Sequence, residues 1–272
     1  MDKLEDIRKS ISEIDVALAS LFERRMEQCA KVAQYKKERG LCVEDPAREA
    51  ELIGRGGALI QNEAVREYYP LFQQSIMDIS KKYQYSLMDG LKIACCADSK
   101  AMASQMYPGA DIVEYPDYQQ AYASCQTGAS DVAVLPLEDS RSGEVSAVLD
   151  LMFAGSLYIN RITEQEDGHS TLRYAAFSRA MNSDSRASGR KSSRFILMFT
   201  VCNEAGSLAK TLNIIGIHGF NMSCLRSRPM KGLKWNYYFY LELDGNIYSE
   251  DGSCMLQELG TICDKLKLAG SF

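Results

Sequence analysis

The stretch KLEDIRKSISEIDVALASLFERRMEQCAKVAQYKKERG, residues 3–40, decides the fold of the N-terminal region. Apolar side chains recur in it at steps of three, four or seven residues, the spacing of one face of an α-helix. No proline or glycine interrupts this pattern before Gly40, so the stretch predicts one long amphipathic helix. The apolar positions are Leu4, Ile7, Ile11, Ile14, Leu18, Leu21, Cys29 and Val32.

Two further helices are predicted before residue 90. Asp45 followed by a proline is typical of a helix start, with the aspartate as N-cap and the proline in the first helical position. This second helix is expected to run to about Arg55, and apolar periodicity predicts a third from Glu63 to Leu87. Since no strand pattern intervenes, residues 1–90 are predicted to form an all-α domain.

The pattern changes after residue 90. The apolar runs LKIACC and DVAVLPL are typical of β-strands, and a helix-like segment separates them, so residues 91–180 are predicted to form a small α/β lobe. Residues 181–193 are polar and small, which is a linker composition. Residues 194–272 show the order strand, helix, two strands, helix and a possible final strand, which predicts an α+β ferredoxin-like domain.

Composition excludes several classes of function. The formal net charge of -5 gives no indication of a nucleic acid or an anionic membrane as partner. The start MDKLEDIRKS has no apolar signal-like core, and a cytoplasmic protein is predicted. Nine scattered cysteines form no CxxC pair, and His169 and His218 have no second ligand at metal spacing. We therefore expect no metal and no cofactor.

Cationic side chains on the first helix indicate a site for a small dianion. Arg25 and Lys36 are three helical turns apart, so they share one face of the helix and lie about 16 Å apart along its axis. Arg8 lies about 25 Å from Arg25 along the axis and about 100° off its face. Arg8 therefore cannot serve the same site within one chain.

Polar positions on the other two helices complete a recognisable pattern. Asp45, Arg48 and Glu49 share one helix face, and Ser80 and Gln84 share another. Taken singly, each set is explained by a solvated helix face. Taken jointly, the order and spacing resemble the all-helical chorismate mutases over residues 1 to about 88. The residues that carry the resemblance are Arg8, Arg25, Lys36, Asp45, Arg48, Glu49, Ser80 and Gln84.

The resemblance implies an enzyme that isomerises chorismate to prephenate as an intertwined homodimer. The long first helix would cross to the other protomer, so that Arg8 of the partner subunit joins Arg25 and Lys36 in binding the two substrate carboxylates. Lys36 and Gln84 would donate hydrogen bonds to the ether oxygen, and Asp45 and Glu49 would hold the ring hydroxyl region. The remaining pocket residues would be Arg48 and Ser80.

A Claisen rearrangement is unimolecular and needs neither nucleophile nor metal. It depends on holding a compact conformer and on donors placed where charge develops on the ether oxygen. Lys36 is therefore expected to have the largest single effect.

The segments DVAVLPLEDSRSGEV and HSTLRYAAF resemble prephenate dehydratase. The first carries Pro136, Glu138, Ser140 and Gly143 of that family's loop, and the second resembles the strand with its catalytic threonine. Three departures stand out: ADSKAMAS replaces a glycine-rich opening, Leu172 stands at the threonine position, and a second lobe is missing. Dehydratase activity is therefore predicted to be lost.

The C-terminal segment resembles an ACT regulatory domain through NEAGSLAKTL and SRP. The resemblance implies a site for an aromatic amino acid such as L-phenylalanine at an interface between domains, although Arg226 stands where the family has a glutamate. A dimerisation module without a ligand is the alternative. The effector residues would be Gly206, Ser207, Leu208, Asn221, Met222, Ser227 and Arg228.

Three functions thus remain open from the sequence. The first is a mutase regulated by an aromatic amino acid, and the second is a bifunctional mutase and dehydratase. The third is a catalytically silent amino-acid sensor, which would have no need for the charged constellation in the first domain.

Overall fold

A computed structural model describes most of the chain and divides it into two compact units. The helical unit comprises Met1–Glu38 and Cys42–Gly90, and the sheet unit comprises Arg39–Leu41 and Leu91–Phe272. Residues 182–193 of the predicted linker, and His169, lie outside the described residues. Within the described ranges, no helix is both long and apolar enough to span a membrane. The described ranges are 3–41, 43, 45–88, 90–168, 170–181, 194–230 and 236–272.

The helical unit contains the long first helix and the second helix that the sequence predicts. Its described helices are α1 (Lys3–Arg39), α2 (Pro46–Leu59), α3 (Glu63–Arg66) and α4 (Tyr69–Leu87). The N-cap prediction for α2 is confirmed, because the Asp45 carboxylate accepts a hydrogen bond from the backbone N–H of Arg48 at 3.0 Å.

The prediction of a single helix from Glu63 to Leu87 is wrong. The structure has a one-turn helix, α3, that ends at Arg66, and α4 begins at Tyr69. Pro70 lies in the first turn of α4, where its missing N–H costs nothing. In a continuous helix the ring of Pro70 would meet the carbonyl of Arg66, so the chain breaks there.

Helix α1 carries a stripe of apolar side chains that the chain itself leaves uncovered. The members of this α1 stripe are between 46% and 59% exposed, and the one buried residue described on α1 is Ala33. Most of the stability of a helix in a protein comes from packing of its apolar face and less from helix propensity. The α1 stripe consists of Leu4, Ile7, Ile11, Ile14, Leu18 and Leu21.

The sheet unit places its described strands in one sheet, in the order β2-β1-β3-β6-β5-β10-β7-β9-β8, with β4 beside β3. The first three strands pair in parallel, and the other neighbours are antiparallel except β5 with β10. The strands are β1 (Lys92–Cys95), β2 (Asp111–Glu114), β3 (Val132–Asp139), β4 (Gly143–Glu144), β5 (Tyr158–Asp167), β6 (Ser170–Ser178), β7 (Arg194–Thr200), β8 (Asn221–Pro229), β9 (Tyr237–Asp244) and β10 (Lys265–Ser271). The helices are α5 (Lys100–Met106), α6 (Tyr118–Thr127), α7 (Ser146–Ala154), α8 (Ser207–Ile217) and α9 (Glu250–Ile262).

The two segments predicted as separate domains contribute strands to this same sheet. They meet where Gly270 of β10 lies opposite Ile159 of β5. The backbones approach so closely that a Cβ on Gly270 would lie 2.4 Å from the carbonyl oxygen of Ile159. Residues 194–271 themselves follow the predicted order β-α-β-β-α-β, including the final strand.

Alternation along β7 links two cores on opposite faces of the sheet. Ile196 and Met198 pack in a core with residues of α6 and α7. Phe195, Leu197 and Phe199 pack in a second core with residues of α8 and α9. Both faces of β7 are therefore covered, and its burial is almost complete.

Candidate active site

The helical unit contains a cavity of about 200 Å³ among residues of α1, α2, α4 and the loop after α1. Seven of the eight residues that the sequence groups together line it, and Arg8 does not. The lining residues are Arg25, Cys29, Val32, Lys36, Val43, Asp45, Arg48, Glu49, Leu52, Met77, Ser80, Lys81 and Gln84.

Arg25 is anchored to α4 across the cavity. Its guanidinium donates hydrogen bonds to the hydroxyl of Ser80 and, at 3.5 Å, to the carbonyl oxygen of Ile76. Ser80 is buried and donates its own hydrogen to the Ile76 carbonyl at 2.6 Å. Ser80, three turns into α4, therefore holds one edge of the Arg25 guanidinium in place.

Lys36 is held at the other end of the same helix face. Its ammonium donates a hydrogen bond of 2.7 Å to the carbonyl oxygen of Val43, in the loop between α1 and α2. Val43 is buried, so the loop presents a fixed acceptor. The prediction that Arg25 and Lys36 share a face is confirmed, because both line the cavity.

The two carboxylates of the site lie at the start of α2. Asp45 caps the helix and lines the cavity, and Glu49 follows one turn later. Arg48 lines the cavity as well, and its guanidinium pairs with Glu51 at 2.7 Å on the outer side of α2. The capping role of Asp45 fixes the direction in which this turn of helix faces the cavity.

Lys81 is a cavity residue that the sequence analysis missed. Its ammonium lies 2.8 Å from a carboxylate oxygen of Glu49 and 3.2 Å from one of Asp78. The hydrogen bond that the ammonium donates to Glu49 is the main reason that the pKa of Lys81 is raised above its ordinary value. Its place next to Ser80 was the available signal, but a lysine on a helix is ordinarily solvated.

Gln84 brings an unsatisfied amide to the cavity. The side chain is 8% exposed, and its Oε1 is buried without a hydrogen-bond partner among the described residues. A buried polar atom left unpaired costs about 1–3 kcal/mol, which a ligand can recover. Because the amide oxygen and nitrogen exchange places by a half-turn, this group can also present its N–H to an acceptor.

The charge of the lining suits a small dianion. Four cationic and two anionic side chains give a formal charge of +2, and the rest of the wall consists of apolar side chains with the polar Ser80 and Gln84. In a partly desolvated cavity this charge acts with less screening than at an open surface. The cations are Arg25, Lys36, Arg48 and Lys81, and the anions are Asp45 and Glu49.

Arg8 lies on the exposed part of α1, seventeen residues before Arg25. Its backbone carbonyl accepts a hydrogen bond of 3.1 Å from the Ser12 hydroxyl, which is a local contact on the helix surface. As the helical geometry predicts, Arg8 does not line the cavity of its own chain.

Comparison with protein families agrees with this geometry. Residues 7–85, which include every lining residue, match the model of chorismate mutase type II. The chain joins a chorismate mutase to a prephenate dehydratase-like region. The second part of that statement rests on residues 97–166, which match the model of prephenate dehydratase. The predictions of a chorismate mutase, an isomerase, and of its fusion to a dehydratase-like region are confirmed.

Curated relatives combine the same two parts. The chain is 20% identical over 368 aligned residues to the bifunctional chorismate mutase/prephenate dehydratase of Aquifex aeolicus, covering 100% of this chain and 98% of that protein. With the protein of the same description from Escherichia coli K12 it shares 25% identity over 158 residues, 58% of this chain and 40% of that protein. The chain thus spans about two-fifths of the length of the Escherichia coli relative.

Solved structures share the fold over part of this chain. Prephenate dehydratase from Streptococcus mutans aligns with a TM-score of 0.57 at 19% identity, covering 66% of this chain and 97% of that one. The Arthrobacter aurescens enzyme in complex with L-Phe aligns with a TM-score of 0.57 at 16% identity, covering 66% and 89%. A quorum-quenching acylase, GqqA, aligns with a TM-score of 0.58 at 24% identity, covering 66% and 93%. At these identities the likeness concerns the fold alone.

The dehydratase-like region carries a second charged cluster. The Arg173 guanidinium donates one hydrogen bond of 2.9 Å to each carboxylate oxygen of Glu242, and it also pairs with Glu138 at 3.2 Å. Arg226 pairs with Glu138 and, at 2.7 Å, with Glu144. The space between these groups is about 10 Å³, which is room for about one water molecule.

The predicted effector residues lie at separate places in the sheet unit. Gly206 has φ +85° and precedes α8, which begins with Ser207 and Leu208. Asn221 and Met222 begin β8, whereas Ser227 and Arg228 end it, about 20 Å away at the rise of a strand. The Arg228 guanidinium donates to the Ser146 hydroxyl at 2.6 Å, on α7. Within one chain these residues therefore do not form one small pocket.

Proposed function

We propose that this chain rearranges chorismate to prephenate in the cavity of the helical unit. The observation that carries the proposal is the convergence of seven predicted polar residues on one cavity with a formal charge of +2. The reaction breaks a C–O bond and forms a C–C bond within one molecule, so it calls for positioning and electrostatic stabilisation. The lining residues supply both.

The proposed roles follow from where each group is held. Arg25 and Lys36, at opposite ends of the cavity face of α1, bind the two substrate carboxylates. Lys36 and Gln84 donate to the ether oxygen as it gains negative charge, and the unpaired Gln84 amide is supporting evidence. Asp45 and Glu49 accept from the ring hydroxyl, at the start of α2. Arg48 and Ser80 complete the pocket, the latter by anchoring the Arg25 guanidinium.

We further propose a homodimer in which Arg8 of the partner subunit completes each site. The α1 stripe supports this, because six large apolar side chains about half exposed need a cover. Full burial of one such side chain contributes about 1.5–3 kcal/mol. A second copy of α1 has the same stripe, and Arg8 lies between two of its members, Ile7 and Ile11.

The test of the mutase activity is the loss of chorismate absorbance. Removing a donor from a preorganised site costs about 10²–10³-fold in kcat. We therefore expect losses of that size in Lys36→Ala and Arg25→Ala, and none in the control Lys31→Ala, an exposed α1 residue outside the cavity. Wild-type rates in both cavity variants would contradict the proposed site.

We propose that residues 194–272 are an ACT regulatory domain that binds an aromatic amino acid between two protomers. The β-α-β-β-α-β order supports the domain, and the wide separation of the effector residues along β8 supports a site shared between chains. Titration calorimetry with L-phenylalanine and L-tyrosine tests it. Absence of heat with both would remove the ligand and leave a dimerisation module.

We propose that the dehydratase activity is absent. Two ion pairs support this proposal. Arg226 of the C-terminal segment pairs with Glu138, and Glu242 pairs with Arg173. The space among these four side chains is only about 10 Å³. The assay is phenylpyruvate formation from prephenate. Turnover above background would favour the bifunctional enzyme instead.

A further inference from the structure

Lys81 connects two helices at the wall of the mutase cavity. Its ammonium pairs with Glu49 on α2 at 2.8 Å and with Asp78, one turn earlier on α4, at 3.2 Å. The side chains of Lys81 and Glu49 are 24% and 23% exposed, whereas that of Asp78 is 52% exposed. The Glu49 pair is therefore the better shielded of the two, and it is the one that lines the cavity.

The position of Glu49 raises an electrostatic problem that Lys81 can solve. A carboxylate in the wall of a cavity for a dianion repels that dianion, and partial burial lowers the screening of the repulsion. Lys81 is within hydrogen-bond distance of the Glu49 carboxylate and carries the opposite charge. The pair is neutral as a unit, yet Glu49 keeps a second oxygen with which to accept a hydrogen bond.

We infer that Lys81 is a positioning residue of the mutase, which fixes the Glu49 carboxylate in the cavity wall and cancels its charge toward a doubly negative substrate. The inference rests on the proposed mutase function. Helix α4 would then contribute three polar residues to the site, namely Ser80, Lys81 and Gln84.

The expected effect falls on substrate affinity. Because both the substrate and its transition state are doubly negative, an uncancelled Glu49 charge repels both, which raises KM and changes kcat little. For Lys81→Met we expect a drop in kcat/KM of about 10- to 100-fold, carried by KM. The control Lys82→Met, an exposed neighbour outside the cavity lining, should keep wild-type constants.

A double-mutant cycle with Glu49→Gln separates positioning from general damage. Glu49→Gln removes the charge that Lys81 cancels, so adding Lys81→Met to it should raise KM by no more than about twofold. Loss of structure would lower activity in both backgrounds. Lys81→Arg should retain most of the affinity, and Lys81→Gln serves as the second variant if Lys81→Met fails to fold by circular dichroism.

Three outcomes overturn the inference, and they differ from one another. Wild-type KM in Lys81→Met, together with inactive Lys36→Ala, removes the role of Lys81 and leaves the mutase proposal standing. If the increases in KM caused by Lys81→Met and by Glu49→Gln multiply in the double variant, Lys81 contacts the substrate itself. No turnover by the wild-type protein refutes the mutase function and the inference with it.

Discussion

The guanidinium of Arg25 on α1 donates a hydrogen bond to the hydroxyl of Ser80 on α4, 55 positions later in the chain. Ser80 in turn donates to the carbonyl of Ile76, so its oxygen is held between a cation and its own helix. This relationship fixes the direction of a carboxylate-binding group before any substrate arrives. Preorganisation of this kind is what an electrostatic catalyst needs.

Ser80→Ala is expected to lower kcat/KM by about tenfold while leaving the cavity open. The Arg25 guanidinium would lose one acceptor, and a hydrogen bond to a charged group contributes about 1.5–3 kcal/mol. Steady-state chorismate kinetics measure the loss. Ser75→Ala is the matched control, since Ser75 is exposed on the same helix and bonds only to the Leu71 carbonyl among the described contacts. Equal constants for both variants would count against the anchoring role.

Gln84→Met is expected to separate stability from activity. Methionine is similar in volume and removes the buried oxygen that has no partner among the described residues, so the free energy of unfolding should stay level or rise by about 1 kcal/mol. Activity should fall by about 100-fold, because an ether-oxygen donor is lost. Thermal unfolding and the chorismate assay check the two effects. The same change at Gln74, outside the cavity, should alter neither; an inactive, destabilised Gln84 variant would indicate a packing role instead.

Arg8→Ala and Lys36→Ala are each expected to lose about 10²–10³-fold in kcat, and their mixture is expected to regain activity. In a mixed dimer, one site would combine an intact Lys36 with an intact Arg8 of the partner subunit. Since half the dimers are mixed and one of two sites is intact in each, recovery should approach about a quarter of the wild-type rate. Mixing after brief unfolding and refolding provides subunit exchange. No recovery would argue against a shared site.

Glu242→Gln is expected to destabilise the sheet unit in a pH-dependent way. Burial alone would raise the pKa of Glu242, but hydrogen bonds from Arg173 and Tyr240 and the Arg173 charge together lower it below 4.5. The carboxylate therefore contributes stability that is present above that ordinary value and is lost as the pH falls through the lowered folded-state pKa. Breaking such a buried pair costs about 3–5 kcal/mol at neutral pH.

Urea unfolding of wild type and Glu242→Gln at pH 7 and near pH 3 measures this difference. The difference between the two proteins in the free energy of unfolding should be smaller at the lower pH. Glu258→Gln is the control, since that side chain is 58% exposed and pairs with His218 at the surface. A gap that is constant with pH would show that the carboxylate charge is not the source of the stability.

Gly270→Ala is expected to destabilise the junction of β5 and β10 by about 1–3 kcal/mol. The added Cβ would lie 2.4 Å from the Ile159 carbonyl oxygen, so a backbone must shift. Gly260→Ala is a control of opposite sign, because Gly260 lies in α9 with nothing within 4 Å of an added Cβ. Alanine there should stabilise the protein by up to about 1 kcal/mol. Differential scanning calorimetry compares the two variants.

The parts of the structure that follow from local rules could be predicted from the sequence. The apolar period over residues 3–40 gives α1, and the Asp45 cap gives the start of α2. The spacing of Arg25 and Lys36 places both on one face. Pro70 is also a local signal for a helix start, but the apolar period continues across it and favours one helix.

What the sequence analysis missed depends on contacts between distant positions. Lys81 and Glu49 are 32 residues apart, and nothing local distinguishes a paired lysine from a solvated one. The single sheet depends on a glycine at 270 opposite residue 159, a pairing that no period reveals. In the sequence Arg226 is only a departure from a motif, because its partners Glu138 and Glu144 lie more than 80 positions away.

The position of β10 between β5 and β7 affects how the chain folds during synthesis. The mutase cavity is lined entirely by residues 25–84, so it can assemble while the ribosome is still producing the rest. The sheet, by contrast, lacks an interior strand until residue 271 has emerged, which leaves the edges of β5 and β7 open meanwhile. Newly made chains stalled before that point are therefore expected to combine a folded helical unit with an aggregation-prone half-sheet.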